Sequence, residues 1–259
     1  MDLQLRDRVA IVAGASRGLG RAIATSLAAE GCRLAVCARG EEALAAVAAE
    51  LAGDDVARVL PVALDITEPH APRRLVEATV EHFGAIDIVV SNVGGNRRKP
   101  FADTTDDDWR KLLELNLLSG LRLVREAIPH LEAGGGGAIL FVSSIFGREK
   151  GGPGLSLYNT TKSALISAAD IMALELAPRG IRVNTIAPGS ILFPGGSWDR
   201  RFRDDPEGKA EFIARNLPLG RFGTPEEIAD AAAWLVSPRA SLVTGACLAV
   251  DGGQGRSLI

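Results

Sequence analysis

Tyr158 and Lys162 stand four residues apart in a segment of helical periodicity, and Ser144 precedes the tyrosine by fourteen positions. The i, i+4 spacing puts the phenol and the ammonium on one helix face, about 6 Å apart at Cβ. A phenol has a reference pKa of about 10, and a nearby cation favours its phenolate by Coulomb attraction. A hydroxyl beside them can hold the oxygen of a carbonyl or an alcohol. The three groups together describe proton exchange with such an oxygen, and Tyr158 is the only tyrosine in the 259 residues. Ser143 is the adjacent competitor; the spacing to Tyr158 favours Ser144.

The elements that must position these side chains alternate between strand and helix. Apolar runs at Arg8–Ala13, Leu34–Cys37, Val59–Leu64, Ile86–Val90, Ala138–Ser143, Ile181–Ala187 and Ala246–Val250 read as strands. Between them, helical spacing of apolar residues covers Leu19–Glu30, Glu41–Leu51, Ala71–Phe83, Thr105–Leu131, Leu155–Leu176 and Pro225–Leu235. Pro61 lacks an N–H for a ladder and predicts a peripheral third strand. The pattern predicts an α/β fold: a single doubly wound Rossmann domain over residues 1–259, with a seven-stranded parallel sheet and helices on both faces. Ligands of such sheets bind in crevices at the carboxyl ends of the strands. Residues 190–215 read as a mobile, polar insertion serving the substrate.

The first strand runs into Gly14-Ala15-Ser16-Arg17-Gly18-Leu19-Gly20 and then a helix. Glycines there permit a tight turn and let a pyrophosphate approach the backbone and the helix N-terminus. NAD-preferring sites commonly place a carboxylate at the end of the second strand to accept from the ribose hydroxyls. Here that strand ends Val36-Cys37-Ala38-Arg39, without an acid and with a cation. Arg39 and Arg17 together suit a ribose 2′-phosphate, so the expected cofactor is NADP(H) rather than NAD(H).

With these residues in place, the chain resembles the short-chain dehydrogenase/reductase family along essentially its whole length, and within it the bacterial 3-oxoacyl-carrier-protein reductases and related carbonyl reductases. The matching positions are Gly14, Gly18 and Gly20, Asp65 after the third strand, Ser91-Asn92-Val93-Gly94 after the fourth, Asn116, Ser144, Tyr158-x-x-x-Lys162, Pro188-Gly189 and Val250-Asp251-Gly252-Gly253. The resemblance implies that Asp65, with Ile66 beside it, contacts the adenine. Asn92 supports the sheet and, with Val93 and Gly94, lines the cofactor groove. Asn116 holds a water connected to Lys162, and Lys162 bonds the nicotinamide ribose. Ser144 binds the substrate oxygen, Tyr158 moves the proton, and Ile191 lies by the nicotinamide carboxamide. Ala13 stands where the family usually has Thr, Ser91 and Val93 where it has Asn and Ala, and Phe193 where Thr often follows Pro188-Gly189.

Bulk properties fit a globular enzyme and exclude some classes. Apolar residues are 47% and charged residues 24%, with a formal net charge of −3. Nothing in this balance points to nucleic acid or to an anionic membrane. No run reaches the length of a membrane span, and the first residues lack the apolar stretch of a signal peptide, so the expected compartment is cytoplasmic. Cys32, Cys37 and Cys247 read as structural thiols, and His70, His82 and His130 as scattered packing or surface residues, with no metal-ligand cluster. The acidic run Asp106–Asp108 reads as helix-terminus electrostatics.

The expected partner is a small carbonyl or alcohol, with a carrier-bound acyl chain as a possibility. Its pocket would be built from Gly94-Gly95-Asn96, the residues after Ser144 and the 190–215 segment. Two basic clusters, Arg97-Arg98-Lys99 and Arg200-Arg201-Arg203, lie in that region as either solvated charge or contacts to an acidic carrier protein or a phosphorylated carrier group. Apolar residues on more than one face of the Thr105–Leu131 and Leu155–Leu176 helices predict a homotetramer, with a dimer as runner-up. The rival functional reading is a nucleotide-binding sensor of the same fold without catalysis; the intact Asn116, Ser144, Tyr158 and Lys162 set favours the enzyme.

Overall fold

Buried apolar strands and amphipathic helices assemble much as the periodicity predicts. The computed structural model describes residues 1–258. They contain a seven-stranded sheet, ordered β3-β2-β1-β4-β5-β6-β7, in which every pairing is parallel. The strands are β1 (Val9–Ala13), β2 (Arg33–Ala38), β3 (Val59–Ala63), β4 (Ile88–Ser91), β5 (Gly137–Val142), β6 (Ile181–Pro188) and β7 (Cys247–Val250). Pro61 lies in β3, an edge strand that pairs with β2 alone, so its missing N–H breaks no second ladder. The order reverses between β1 and β4, which places the switch-point crevice over their carboxyl ends.

The helices are α1 (Gly18–Ala29), α2 (Glu41–Ala52), α3 (Ala71–Phe83), α4 (Asp106–Leu113), α5 (Ser119–Ala133), α6 (Ser156–Leu176), α7 (Ser197–Phe202), α8 (Pro206–Asn216) and α9 (Pro225–Val236). One core layer joins the buried faces of α1 and α9 to Val12, Val36, Val90 and Leu140; the other joins α3, α5 and α6 to Ile11, Val89, Ile139 and Phe141. Alternate residues of each central strand thus feed opposite layers, as a sheet covered on both faces requires.

Two elements differ from the sequence reading. The helix expected over Thr105–Leu131 is interrupted by a π-helical turn at Glu114–Leu118, between α4 and α5, and Asn116 is buried in that turn. The 190–215 segment is not simply polar: it contains α7 and α8. Their Trp198, Phe202 and Phe212 pack with Leu217 and Phe222 as a small separate core, with Phe212 and Phe222 stacked at 5.7 Å between ring centroids. The arginines of this segment lie outside that core, which is why its composition looks polar.

Candidate active site

The glycine turn between β1 and α1 is locked from several sides. Gly14 and Ala15 donate their N–H groups to the Cys37 carbonyl at 2.8 and 3.0 Å, tying the turn to the end of β2. Asn92, just past β4, donates to the Gly14 carbonyl at 3.0 Å. A Cβ on Gly20 would lie 2.1 Å from that same carbonyl oxygen, so only glycine lets α1 pack this closely on the turn. Val93 packs beside Gly14. The first turn of α1 contains no acid, and its N-cap Arg17 makes no side-chain cap, so no side chain from that cap or turn competes for the amides an anion would take. Ser16 lies in the turn and Leu19 packs its side chain toward the core. These features fit a dinucleotide pyrophosphate.

The remaining cofactor positions gather at the same edge. Arg39 follows β2 with its side chain 80% exposed, and its Nη1 is 3.9 Å from an Asp65 oxygen. The other Asp65 oxygen accepts from the N–H and hydroxyl of Thr67. Ile66 next to it is buried in the core. The Arg17 guanidinium passes close to Gly195, on the side of the α7 segment, and so does not share Arg39's partner. Pro188 ends β6, and Gly189 is approached so closely by Asp251 and Gln254 that a Cβ there would sit 2.7 Å from the aspartate. Ile191 is 7% exposed and bridges to Gly223. The Phe193 ring lies against Gly18, where a Cβ would be only 2.6 Å from two ring carbons.

Across the crevice, α6 presents Tyr158 and Lys162. Tyr158 is in the first turn of α6, where the helix dipole favours negative charge on the phenol. Burial raises its pKa, and a hydrogen bond with Ser144 acts in the opposite direction. Lys162 is 3% exposed. Its Nζ donates to the Val142 carbonyl at 2.8 Å and lies 6.0 Å from the centre of the Tyr158 ring. Burial alone pushes its pKa from 10.5 down to about 8. Lys162 is therefore not a fixed cation, and before a ligand binds, desolvation outweighs the Coulomb help expected for the phenolate. The two adjacent serines separate cleanly. Ser144 faces Tyr158 and accepts from the Phe146 N–H at 3.2 Å, whereas the Ser143 hydroxyl donates to the Lys162 carbonyl at 3.1 Å and so braces the helix.

Asn116 connects this helix to the loop after β4. Its Oδ1 accepts from the Gly95 N–H at 2.8 Å, and its amide donates to the Gly95 carbonyl and to Thr161 Oγ1 at 3.0 and 2.9 Å. Thr161 in turn donates to the Tyr158 carbonyl. The π turn supplies the extra residue that swings Asn116 inward. Gly94 sits between Asn116 and Lys162, and a Cβ there would lie 3.1 Å from Nζ and 3.2 Å from Oδ1. The structure thus brings Asn116, Ser144, Tyr158, Lys162 and Gly94 together; the side chains of Leu19 and Ile66 it assigns to packing.

A cavity of about 1090 Å³ adjoins this group: its lining begins at Ile145, the residue after Ser144, and includes neither Ser144 nor Tyr158 themselves. Ile145 and Phe146, directly after Ser144, and Leu155, shortly before Tyr158, form its near wall. Of the expected Gly94-Gly95-Asn96 only Asn96 lines it, together with residues of α7 and α8 from the expected 190–215 segment. The C-terminal residues Gln254 and Arg256 also line it. Sequence reasoning missed them: Asp251-Gly252-Gly253 signals a turn, but only the fold shows that the turn carries the tail back over the crevice, where Gln254 bonds the N–H and the hydroxyl of Ser190.

The basic cluster Arg97-Arg98-Lys99 is also resolved by structure. Arg97 and Lys99 both pair with Asp108, at 2.6 and 2.8 Å, whose side chain is 4% exposed. The Lys99 hydrogen bond, then the Thr105 backbone, hold the Asp108 carboxyl down at about 2. Asp108 is therefore more than helix-terminus electrostatics. It completes a capping box with Thr105 and anchors the loop that contributes Asn96 to the cavity. Cys32 and Cys37 are buried, and burial pushes both thiols up to about 12, which suits inert packing. Among the described residues no group of His, Cys, Asp and Glu is arranged to hold a metal ion, and no helix is long and apolar enough to cross a membrane.

Comparison with known proteins places this geometry in context. Residues 14–254 match a family model described as enoyl-(acyl carrier protein) reductase. The human "Dehydrogenase/reductase SDR family member 4" is 36% identical over 96% of the chain and 88% of its own length. Among solved structures, L-sorbose reductase from Gluconobacter frateurii, complexed with NADPH and L-sorbose, superposes with a TM-score of 0.94 at 33% identity over all of both chains. A 7α-hydroxysteroid dehydrogenase complexed with NADH and a 7-oxo bile acid gives 0.90 at 33% identity, covering all of this chain and 98% of its own.

Proposed function

Because the chain belongs to the short-chain dehydrogenase/reductase family, we propose that it is an NADP(H)-dependent reductase of ketones or 3-oxoacyl groups, working reversibly on the corresponding secondary alcohols, with Tyr158 as the general acid and base. The observation that carries this reading is the Ser144–Tyr158 contact in the first turn of α6, with the buried Lys162 ammonium one helical turn behind it.

The bound nicotinamide supplies or accepts the hydride; the protein supplies position and the proton. Ser144 and Tyr158 both direct hydroxyl hydrogens at the substrate oxygen, which fixes the carbonyl in place and polarises it. In reduction the phenol gives its proton to the developing alkoxide. A neutral Tyr158, its pKa raised by burial, is the right protonation state for that step. In oxidation the phenolate must form, and there the helix N-terminus, Ser144 and a charged Lys162 all act in its favour. Asn116 positions the Lys162 end of the site through Gly95 and Thr161. General acid–base help of this type is typically worth about 10²–10⁴-fold.

The preference for NADP(H) is supported by the exposed Arg39 at the end of β2, where no acid stands to accept from ribose hydroxyls. Solved relatives of comparable similarity hold either NADPH or NADH, so the preference we propose rests on Arg39 alone. A cytoplasmic homotetramer remains our reading of its state. Ile171 and Leu174, 52% and 72% exposed, give α6 an apolar outer face for a second copy.

Tyr158→Phe tests the mechanism. The variant should bind NADPH with unchanged affinity and lose at least about 10²-fold in turnover of any ketone the wild type reduces. Retained turnover refutes the acid–base role. NADPH binding by wild type without turnover across sugars, steroids, aromatic ketones and 3-oxoacyl thioesters would favour the sensor instead.

A further inference from the structure

We propose that the substrate is a small carbonyl compound carrying an oxyanion at the end remote from the reacting carbon, and that the cavity beside Tyr158 is built to hold that anion. This rests on the carbonyl-reductase reading above and names the substrate class for it. The cavity wall contains the cations Arg98, Arg148, Lys150, Arg201 and Arg256 against a single acid, Glu149. That acid is already engaged, since its carboxylate accepts from the Arg256 backbone N–H.

The same loops provide an internal control. Of the cluster Arg97-Arg98-Lys99, the outer two are neutralised by Asp108, and only Arg98 lines the cavity. Of Arg200, Arg201 and Arg203, Arg203 pairs with Asp199 and Arg200 donates to the Gly195 carbonyl; Arg201 alone lines the cavity. Among the described residues none of the five lining cations is in a salt bridge. Arg97, Lys99 and Arg203, which do not line the cavity, thus have carboxylate partners, whereas Arg98 and Arg201, which do, have none. In a concave site such charge focuses potential on an anionic ligand.

Arg148 is the nearest of the five in sequence to Ser144, four residues after it, and is half-buried with its Nη1 on the Cys247 carbonyl at 3.1 Å. That bond uses one of its donors and orients the guanidinium fork, which suits paired bonds to a carboxylate, sulfonate or phosphate. Phe146, Trp198 and Phe212 line the same space, so the body between carbonyl and anion is apolar or aromatic. Arg201 stays in place by stacking over Trp198, its guanidinium carbon 5.3 Å from the ring centre.

The test uses the wild-type protein with NADPH and matched aryl ketones: 4-acetylbenzoate, 4-acetylbenzenesulfonate and 4-acetylphenyl phosphate against methyl 4-acetylbenzoate, followed at 340 nm. At least one anionic ketone should exceed the neutral ester by about 10-fold or more in kcat/KM at low salt, and the ratio should fall as ionic strength rises. Which anion leads identifies the oxyanion. Arg98→Gln and Arg148→Gln should each lower kcat/KM for the anion several-fold more than for the ester, and Arg148→Lys should restore part of the preference. Reduction of all four compounds at similar, salt-independent rates overturns the proposal. So does reduction of a 3-oxoacyl carrier-protein thioester with no preference among the free ketones. If no ketone is reduced, calorimetric binding of the same compounds separates the two ideas. Tighter binding of the anions keeps the anion site and sinks the reductase reading; equal binding, or none, overturns the anion site.

Discussion

Replacing Lys162 with methionine, in a Tyr158→Phe background that removes the neighbouring phenol, should make the stability of the folded chain respond differently to alkali. Burial lowers the Lys162 pKa from 10.5 to about 8. At about 1.36 kcal/mol per pH unit, this is a penalty of about 3 kcal/mol on the charged form in the folded chain. Below pH 8 both folded and unfolded chains hold the proton, and the penalty is constant. Between about pH 8 and 10.5 the folded chain has released a proton that the unfolded chain still binds, so stability rises with pH. The assay is urea unfolding of the two proteins, without cofactor, in steps from pH 7 to 10.5. Taking the difference cancels Cys32 and Cys37, whose thiols are raised to about 12 and act in the opposite sense above pH 9. The lysine-containing protein should gain about 3 kcal/mol on the methionine variant across that window. Parallel curves would show that Lys162 is not desolvated, and the account of how its charge is tuned would fail.

Arg39→Asp should move cofactor preference from NADPH toward NADH, read as the ratio of the two dissociation constants; an unchanged ratio counts against the 2′-phosphate assignment. Gly20→Ala forces a Cβ to 2.1 Å from the Gly14 oxygen, and should cost about 2–3 kcal/mol in thermal unfolding while weakening dinucleotide binding. Asp108→Asn should lose the stability that the Asp108 carboxylate contributes through Lys99 and Thr105. The wild type's advantage, present above pH 4, should disappear as pH falls from about 4 to about 2, because the folded carboxyl titrates at about 2 and the unfolded one near 3.8.

The strands were legible in the sequence because a sheet buried on both faces writes continuous apolar runs, as in Ile86–Val90. Tyr158 and Lys162 were legible because i, i+4 spacing on a long helix leaves no choice of face. The π turn at Glu114–Leu118 was not, since one added residue hardly disturbs the periodicity on either side. The small aromatic core escaped as well: α7 has only six residues and α8 eleven, too short for a periodic signal, and their arginines mask Trp198, Phe202 and Phe212. The burial that tunes Lys162 involves Val142 and Gly94, which meet it only through long-range packing.

The contact of Phe193 with Gly18 ties two binding events together. The chain from Phe193 to Arg201 touches the phosphate turn at one end and forms the aromatic wall of the cavity at the other. A dinucleotide bound at the phosphate turn would lie beside this ring, and fewer than ten residues separate Phe193 from Trp198 and Arg201. Were this segment to shift when one ligand binds, linkage would act in both directions, each ligand changing the other's affinity by the same factor. Phe193 thus gives one short stretch of chain a contact with the phosphate turn at one end and a share of the cavity wall at the other.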